Sequence, residues 1–381
     1  MSVRRLLPLL GLVFLVVAPG AANAAAPLPS PPDIAGDSHI LIDFRTGRII
    51  AEENADKRVE PASITKIMTT YVVFKQIETG AISLDDMVTV SEKAWRAPGS
   101  RMFIEVGKQI SVENLLHGVI VQSGNDASIA LAEYVAGTEA AFADLMNAYA
   151  ERLGMKNSHF VNATGLPAEN HYVTARDVAF LSRALIAEFP EYYAWYSQHE
   201  FVWNGIRQSN RNLLLYRDPR VDGIKTGHTD DAGYCLVSSA VEGDMRLISV
   251  VMGTGGERER ADASQALLNY GFRFYETHKL YEAGKELTRA KVWKAPVDEI
   301  GLAPADDIYV TIARGRYDQL EAVMDIQQTL IAPLADDQVV GVVRISLDGE
   351  ELARAPLTPT APVPEGSLFR RAVDSILLMF E

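Results

Sequence analysis

Three short polar strings, occurring in one order along the chain, constrain its fold more than any other feature. They are Ser-Ile-Thr-Lys at 63–66, Ser-Gly-Asn at 123–125 and Lys-Thr-Gly at 225–227. Each alone is a weak signal, because such short strings also arise by chance or as turns. Together they supply a hydroxyl nucleophile, amines and an amide, the groups of a serine acyl-transfer centre. The fold should therefore bring three distant segments to one cleft.

The first string lies at the start of a predicted helix. An apolar pattern of helical spacing follows Pro61: Ile64, Ile67, Met68, Tyr71 and Phe74. A helix from this point places Ser63 and Lys66 one turn apart on the same face. A lysine amine becomes a base when burial or a neighbouring cation disfavours its charged form. We expect Ser63 to be the nucleophile and Lys66 its base, with Lys225 as a second cation.

The second string adds the groups that the first lacks. Ser123 is placed to relay a proton toward a leaving amine. Asn125 is placed to hold either Lys66 or an amide of the substrate. The alternative interpretation of this string is an ordinary polar loop.

The third string precedes an apolar strand pattern at 234–240, which favours a functional role over a simple turn. Lys225 and Thr226 would meet a carboxylate of the substrate. Gly227 would let an extended peptide approach closely and pair with a strand edge.

The chain resembles the low-molecular-mass penicillin-binding proteins, the serine-type D-alanyl-D-alanine carboxypeptidases of the peptidase S11 type. Class A β-lactamases share the same order of motifs. The likeness runs from about Ile40 to the C-terminus, and it is carried by residues 61–69, 122–127, 221–229 and 271–277. It implies that the penultimate D-Ala carbonyl of a peptidoglycan stem pentapeptide acylates Ser63, that terminal D-Ala leaves, and that water hydrolyses the acyl-enzyme. It also implies that β-lactams acylate Ser63.

The resemblance assigns further roles in the site. Lys66 is the general base, and the backbone N–H groups of Ser63 and His228 form the oxyanion hole. An arginine after the last strand of the sheet binds the terminal carboxylate. We assign that role to Arg260, with Arg258 as the neighbouring alternative.

Length and pattern predict two domains and an α+β fold. Residues 38–284 are expected to form the catalytic domain, an antiparallel sheet flanked by helices that is β-lactamase/transpeptidase-like by resemblance. Its strands come from both ends of that range, beginning with a hairpin at 40–52. Residues 285–354 carry short alternating strand patterns and predict a small all-β sandwich.

The two ends of the chain differ in composition from these domains. Residues 1–24 have two arginines, an apolar run and small residues suited to cleavage, and they predict a secretory signal peptide. Residues 25–37 and 355–366 are rich in proline and predict a leader and a linker. Residues 367–381 predict an amphipathic helix.

This last helix is too short to cross a bilayer, since about 20 residues are needed. With apolar residues on one half and arginines on the other, it is expected to lie on a membrane surface. The signal peptide predicts export. The resemblance implies a periplasmic enzyme held peripherally on the outer face of the cytoplasmic membrane.

Charge and composition exclude several other functions. The formal net charge of −14 argues against nucleic-acid binding, which requires a basic surface. The histidines show no metal-ligand spacing, so neither a metal nor a cofactor is expected. Cys235 is the only cysteine and has no partner for an intramolecular disulfide.

Three alternatives remain open. A murein DD-endopeptidase would share all three strings, although the added β-domain and terminal helix favour a carboxypeptidase. A serine β-lactamase is disfavoured, because no Glu-x-x-Leu-Asn string lies between the second and third motifs. A catalytically silent wall-binding module is disfavoured by the intact Ser63, Lys66 and Lys225.

Overall fold

The computed structural model describes residues 28–380. The predicted signal peptide and the first part of the Pro-rich leader lie outside the described residues. The rest of the leader runs along the catalytic domain, where Ile34 is buried and the Pro29 carbonyl accepts a hydrogen bond from Tyr270.

The catalytic domain is an antiparallel five-stranded sheet with helices on both faces, as predicted. The sheet order is β2-β1-β9-β8-β7, so the first and last strands of the domain are neighbours. The strands are β1 Ser38–Asp43, β2 Ile49–Glu53, β3 Met87–Thr89, β4 Gln109–Ser111, β5 Glu200–Trp203, β6 Ile206–Ser209, β7 Val221–Thr229, β8 Gly233–Glu242 and β9 Met245–Thr254. The helices are α1 Thr65–Glu78, α2 Glu92–Trp95, α3 Val112–His117, α4 Asn125–Ala136, α5 Glu139–Arg152, α6 Ala175–Glu188, α7 Pro190–Tyr193, α8 Leu214–Arg217 and α9 Glu257–Phe274.

Adjacent residues of β1 show why both faces of the sheet are covered. Successive side chains of a strand point to opposite faces. Ile40 belongs to the apolar core shared with α1 and α6. Leu41 belongs to the separate core under α9. The strand is therefore apolar at consecutive positions, and β7 is left at the sheet edge beside α1.

The second domain is all-β and starts earlier than predicted. Its strands are β10 Tyr275–Tyr281, β11 Thr288–Trp293, β12 Glu299–Pro304, β13 Ile308–Ala313, β14 Glu321–Ile326, β15 Leu330–Ile331, β16 Gly341–Leu347 and β17 Glu350–Pro359. A six-stranded sheet packs against the β10–β13 pair. Because β10 pairs with β13, the boundary lies near residue 275, within the range 38–284 assigned to the catalytic domain.

The predicted linker at 355–366 is wrong for its first part, which is a strand. Residues up to Pro359 belong to β17, and Val363 pairs with Leu334. Alternate residues Ala355, Leu357 and Pro359 are buried, which is the period-2 pattern of a half-buried strand. The prolines in this stretch therefore sit in a strand and its extension, which carry the chain across the second domain.

The predicted terminal helix is present as α10, Leu368–Leu377, and it rests on the second domain. It does so through its polar face. Asp374 is buried and accepts a hydrogen bond from the Lys294 backbone N–H at 2.6 Å, and Arg370 pairs with Asp298. The apolar side chains point outward: Leu368, Phe369, Ile376, Leu377, Met379 and Phe380. Among residues 28–380, no helix has the length and apolar character to cross a membrane.

Candidate active site

Ser63 sits in a tight turn that leads into α1. A 3₁₀ turn spans Ala62–Ile64, and the α-helix proper begins at Thr65. The helix predicted to start near Ser63 is therefore present, with a tighter first turn. Ser63 and Lys66 still share a face, and the Lys66 Nζ lies 2.9 Å from the Ser63 Oγ.

Lys66 is buried, with 1% of its surface exposed, and its amine meets three oxygens. Besides Ser63, the Nζ donates to the Asn125 Oδ1 at 2.7 Å and to the Thr164 carbonyl at 2.5 Å. Burial lowers the pKa of Lys66 to about 7, and the positive charge of Arg211 acts in the same direction. The amine can thus hold or release a proton near neutral pH.

Ser123 and Asn125 flank the start of α4 at the same cleft. Ser123 adopts a left-handed backbone conformation with φ of 66°. Its buried Oγ has no hydrogen-bond partner within the described chain. Asn125 is fixed from the other side, because its Nδ2 donates to the Pro98 carbonyl and its backbone N–H to the Ser100 carbonyl. The Ser123 hydroxyl therefore makes no hydrogen bond within the described residues, whereas hydrogen bonds to Pro98 and Ser100 hold Asn125 in one orientation.

A loop next to this string is held by one buried carboxylate. Asp126 accepts hydrogen bonds from the backbone N–H groups of Met102, Phe103 and Ile104. This arrangement keeps the segment that carries Ser100 against α4 and at the rim of the cleft.

The third string lies on the edge strand β7. The Lys225 Nζ donates to the Thr226 carbonyl at 3.0 Å, and burial, followed by the charge of Lys66, holds the Lys225 pKa well below its usual value. A Cβ at Gly227 would come within 3.2 Å of the Pro61 carbonyl and of Ala62. Gly227 thus permits the strand edge to pack against the turn that carries Ser63.

His228 and Arg260 both line the cleft. The exposed His228 ring packs on Tyr234 with ring centroids 4.0 Å apart. Arg260 is buried, and its Nη1 donates to the Gly227 carbonyl at 3.1 Å. Arg258 is exposed and does not line the cleft. Of the two candidate arginines, Arg260 is the one at the site.

The cleft has a volume of about 210 Å³ and is lined by Ser63, Ser123, Asn125, Thr226, Gly227, His228 and Arg260 among the predicted site residues. The buried Lys66 and Lys225 lie beneath its wall. The cleft also includes residues that sequence reasoning did not assign: Gly99, Ser100, Thr164, Gly165, Leu166, Arg211, Thr229, Tyr234 and Glu257. Among them, Arg211 presents an exposed guanidinium and donates to the Ser100 Oγ at 2.9 Å. No periodic pattern marks the loop that carries it.

Residues 28–380 contain no group of three or more His, Cys, Asp or Glu side chains arranged to hold a metal ion. The arrangement that they do contain is a serine hydroxyl, a buried amine of lowered pKa and a second hydroxyl around one cleft. These are the parts of a two-step acyl transfer.

Comparison with known proteins agrees with this geometry. The family model described as D-alanyl-D-alanine carboxypeptidase matches residues 25–256, and the penicillin-binding protein 5 C-terminal domain matches residues 275–365. The chain belongs to the D-alanyl-D-alanine carboxypeptidase family. This confirms the resemblance and the serine-type carboxypeptidase activity expected from it, as well as the two-domain fold. The family's C-terminal domain starts at the boundary observed here rather than at 285.

Individual members of the carboxypeptidase family match nearly the whole chain. The D-alanyl-D-alanine carboxypeptidase DacA of Escherichia coli is 44% identical over 366 residues, covering 94% of this chain and 91% of that protein. A crystal structure of penicillin binding protein 5 from Haemophilus influenzae is 42% identical, with a TM-score of 0.83, and covers 88% of this chain and 100% of that one.

A third member of the comparison carries a bound antibiotic. Penicillin-binding protein D2 of Listeria monocytogenes, solved in the ampicillin-bound form, is 30% identical with a TM-score of 0.59. It covers 63% of this chain and 100% of that chain. The carboxypeptidase relatives thus extend through the second domain, which makes the endopeptidase alternative the weaker one.

Proposed function

We propose that Ser63 is the nucleophile that takes the acyl group from a stem peptide ending in D-Ala-D-Ala. The observation that carries the proposal is the 2.9 Å contact between the Ser63 Oγ and the buried Lys66 Nζ. When Lys66 is neutral, its lone pair accepts the serine proton while two N–H bonds remain on Asn125 and Thr164. The Ser63 Oγ then attacks the penultimate D-Ala carbonyl, and a tetrahedral intermediate forms.

The negative oxygen of that intermediate needs donors. We assign them to the backbone N–H groups of Ser63, in the first turn before α1, and of His228, on β7. Both residues line the cleft. The substrate backbone would extend along the β7 edge, which Gly227 allows to pack close to the turn that carries Ser63.

The leaving D-Ala amine must gain a proton as the C–N bond breaks. Ser123 is suited to pass it on, because its buried Oγ faces the cleft without a partner in the described chain. The proton originates from Lys66. Water then attacks the Ser63 ester by the reverse sequence, with Lys66 again taking a proton.

The terminal carboxylate of the substrate meets a cationic wall. Thr226 supplies a hydroxyl at the cleft, and Lys225 lies just behind it. Arg260 is held by the Gly227 carbonyl, whereas Arg211 presents an exposed guanidinium. We therefore assign the carboxylate contact to Thr226, with Arg211 and Arg260 supplying the charge.

A β-lactam tests the nucleophile, because its acyl bond imitates the D-Ala-D-Ala terminus. Incubation with ampicillin should add one drug mass to Ser63, and Ser63→Ala should abolish the adduct and lower turnover by roughly 10³-fold or more. An adduct on another residue, or labelling retained by Ser63→Ala, contradicts the proposal.

Product analysis separates the carboxypeptidase from an endopeptidase. The purified protein is given a muropeptide pentapeptide, its C-terminal amide and a cross-linked dimer, and the products are weighed. Release of one alanine from the free acid, with little from the amide, supports the carboxylate contact. Faster cleavage of the cross-linked dimer than of the pentapeptide would show that the endopeptidase activity is the main one.

We further propose that the enzyme is exported to the periplasm and held at the outer face of the cytoplasmic membrane by α10. A soluble domain normally packs the apolar side of a terminal helix inward. Here the buried Asp374 faces the protein while Phe369, Ile376 and Phe380 face outward. Such a helix suits the lipid headgroup boundary.

A further inference from the structure

The segment between α5 and α6, residues 160–172, lies across the start of α1 and supplies one of the three oxygens around the Lys66 amine. That oxygen is the Thr164 carbonyl, 2.5 Å from the Nζ. The preceding carbonyl, that of Ala163, accepts a hydrogen bond from the Oγ1 of Thr69, which lies about one turn after Lys66 on α1. A main-chain carbonyl keeps its position only if the segment that carries it is held in place. The contacts that hold residues 160–172 therefore determine whether the Thr164 carbonyl stays on the Lys66 amine.

One buried histidine fastens both ends of this segment. The His171 Nε2 lies 2.9 Å from the Oγ1 of Thr65, which begins α1 and directly precedes Lys66. The His171 Nδ1 accepts from the Val161 backbone N–H at 3.3 Å. Because a backbone N–H can only donate, Nδ1 carries no proton, and the neutral ring donates through Nε2 to Thr65.

The ring is neutral under working conditions. Burial lowers the His171 pKa to about 4, and nearby His159 acts in the same direction. The tautomer with the proton on Nε2 therefore persists at neutral pH, and both hydrogen bonds remain in place.

The segment also fits α1 with no spare room beside Thr164. Gly165 has a φ of +82°, and a Cβ there would lie 1.7 Å from the Ala62 carbonyl oxygen. Asn162 closes the turn, because its Oδ1 accepts from the backbone N–H groups of Thr164 and Gly165. The turn is thus rigid within itself, and His171 ties it to the helix.

We propose that His171 is a positioning residue for acylation, which ties residues 160–172 to Thr65 and so keeps the Thr164 carbonyl on the Lys66 amine. This rests on the proposed role of Lys66 as the base. His171 is buried and does not line the cleft. Its loss should therefore slow acylation without weakening the initial binding of substrate or inhibitor.

The test measures acylation by a chromogenic β-lactam under single-turnover conditions, which separates the dissociation constant of the first complex from the acylation rate constant. His171→Ala should lower the rate constant by up to about 100-fold, the effect of a misplacement of about 1 Å. The dissociation constant should stay within about threefold. His171→Gln, whose amide can donate to Thr65, should recover most of the rate.

His159→Gln is the matched control. This histidine lies in the same part of the chain, but it is exposed, its Nδ1 donates to the Asn170 carbonyl and its ring lies beside Tyr172. It should acylate like the unmodified protein. Thr65→Val removes the partner of the His171 Nε2. Combined with His171→Ala it should add little further loss, since His171→Ala has already removed that contact.

Several outcomes would overturn the inference. One is an unchanged acylation rate constant in a folded His171→Ala variant. Another is an additive loss of rate in the variant that combines His171→Ala with Thr65→Val. A third is a His171→Gln variant that acylates as slowly as His171→Ala while keeping the melting temperature of the unmodified protein. Failure of the proposed function looks different: Ser63→Ala would then keep the drug label whatever residue stands at 171. If His171→Ala does not fold, His171→Gln and Thr65→Val decide the question.

Discussion

At the scale of single residues, the base role proposed for Lys66 needs a neutral amine, yet its Nζ lies among three oxygens that would stabilise a cation. Burial and the contacts act in opposite directions on its charge. The three acceptors match the three N–H bonds of an ammonium group, and removal of water lowers its pKa to about 7. The site thus holds either protonation state without moving the side chain.

This balance predicts the pH dependence of acylation. Since the proposed mechanism requires the neutral Lys66 amine, the acylation rate constant should rise with pH, reach half its maximum near pH 7 and fall about tenfold per pH unit below that. Single-turnover acylation by a β-lactam from about pH 5 to 9 measures it. A rate constant that stays flat across pH 7 would show that another group limits the step.

The two lysines should differ when each is replaced by arginine. Guanidinium stays protonated, so Lys66→Arg should nearly stop acylation although the charge is kept. Lys225→Arg should lose less, because its expected role is to attract a carboxylate. Acylation rates of both variants, with circular dichroism as the control for folding, give the ranking, and the reverse order would exchange the two roles.

The sequence was informative about side chains with distinctive chemistry and uninformative about the rest. Ser63 and Ser123 line one cleft, and Lys225 is buried beneath its wall beside Thr226. The Thr164 carbonyl could not be foreseen, because every residue has a carbonyl and only the fold selects one. Arg211 could not be predicted as a cleft residue either, because its loop has no repeating pattern and arginines are common on protein surfaces.

At the scale of elements, the segment 160–172 depends on Gly165, where a side chain would meet both strain and a steric conflict. A side chain at Gly165 faces both an unfavourable φ of +82° and the Ala62 carbonyl. Gly154, in the turn after α5, shares the backbone conformation with a φ of +74°, but nothing lies near its missing Cβ. The two positions separate backbone strain from steric conflict.

Gly165→Ala should therefore cost more than Gly154→Ala. Backbone strain alone is worth about 1–3 kcal/mol, which is the loss expected at Gly154. At Gly165 the clash adds to it, and acylation should fall as Thr164 leaves Lys66. Thermal unfolding and acylation of both variants test this, and equal losses at the two sites would mean that the segment moves aside without consequence.

Elements with a clear periodicity were predictable, and those with mixed signals were not. The strands at β1, β7, β8 and β9 follow apolar runs bounded by turns. The end of strand β17 is predicted as a linker because of its prolines, although Ala355 and Leu357 follow the alternation of a strand. Strand β10 directly follows α9, with no linker composition to mark the boundary, so the domain border was placed too late.

At the scale of the whole molecule, the two domains are joined by polar contacts around a buried carboxylate. Thr277 of β10 donates to Asp43 at 2.7 Å, and Arg48 donates to the Thr311 carbonyl at 2.9 Å. Buried polar groups with satisfied partners fix geometry more narrowly than apolar surfaces do. The catalytic cleft therefore keeps a set direction relative to the second domain and to α10.

Removal of α10 should change location and spare chemistry. A chain that ends at Gly366 should move from the membrane fraction to the soluble fraction, with nearly unchanged activity on a soluble pentapeptide. The double variant Phe369→Ser, Phe380→Ser should behave alike, and Ser375→Ala, on the polar side, should stay with the membrane. Sedimentation with lipid vesicles measures this, and a truncated chain that still sediments would place the anchor elsewhere.

The outward-facing apolar side of α10 has a consequence for the purified protein. Without lipid, the exposed Leu368, Phe369, Met379 and Phe380 side chains can escape water only against one another in separate copies. The full chain should form larger species as its concentration rises, and detergent should disperse them. Analytical ultracentrifugation of the full and truncated chains checks this, and identical sedimentation would contradict it. An oligomer measured in buffer without lipid would then result from the missing bilayer. The truncated chain would give the stoichiometry of the two folded domains.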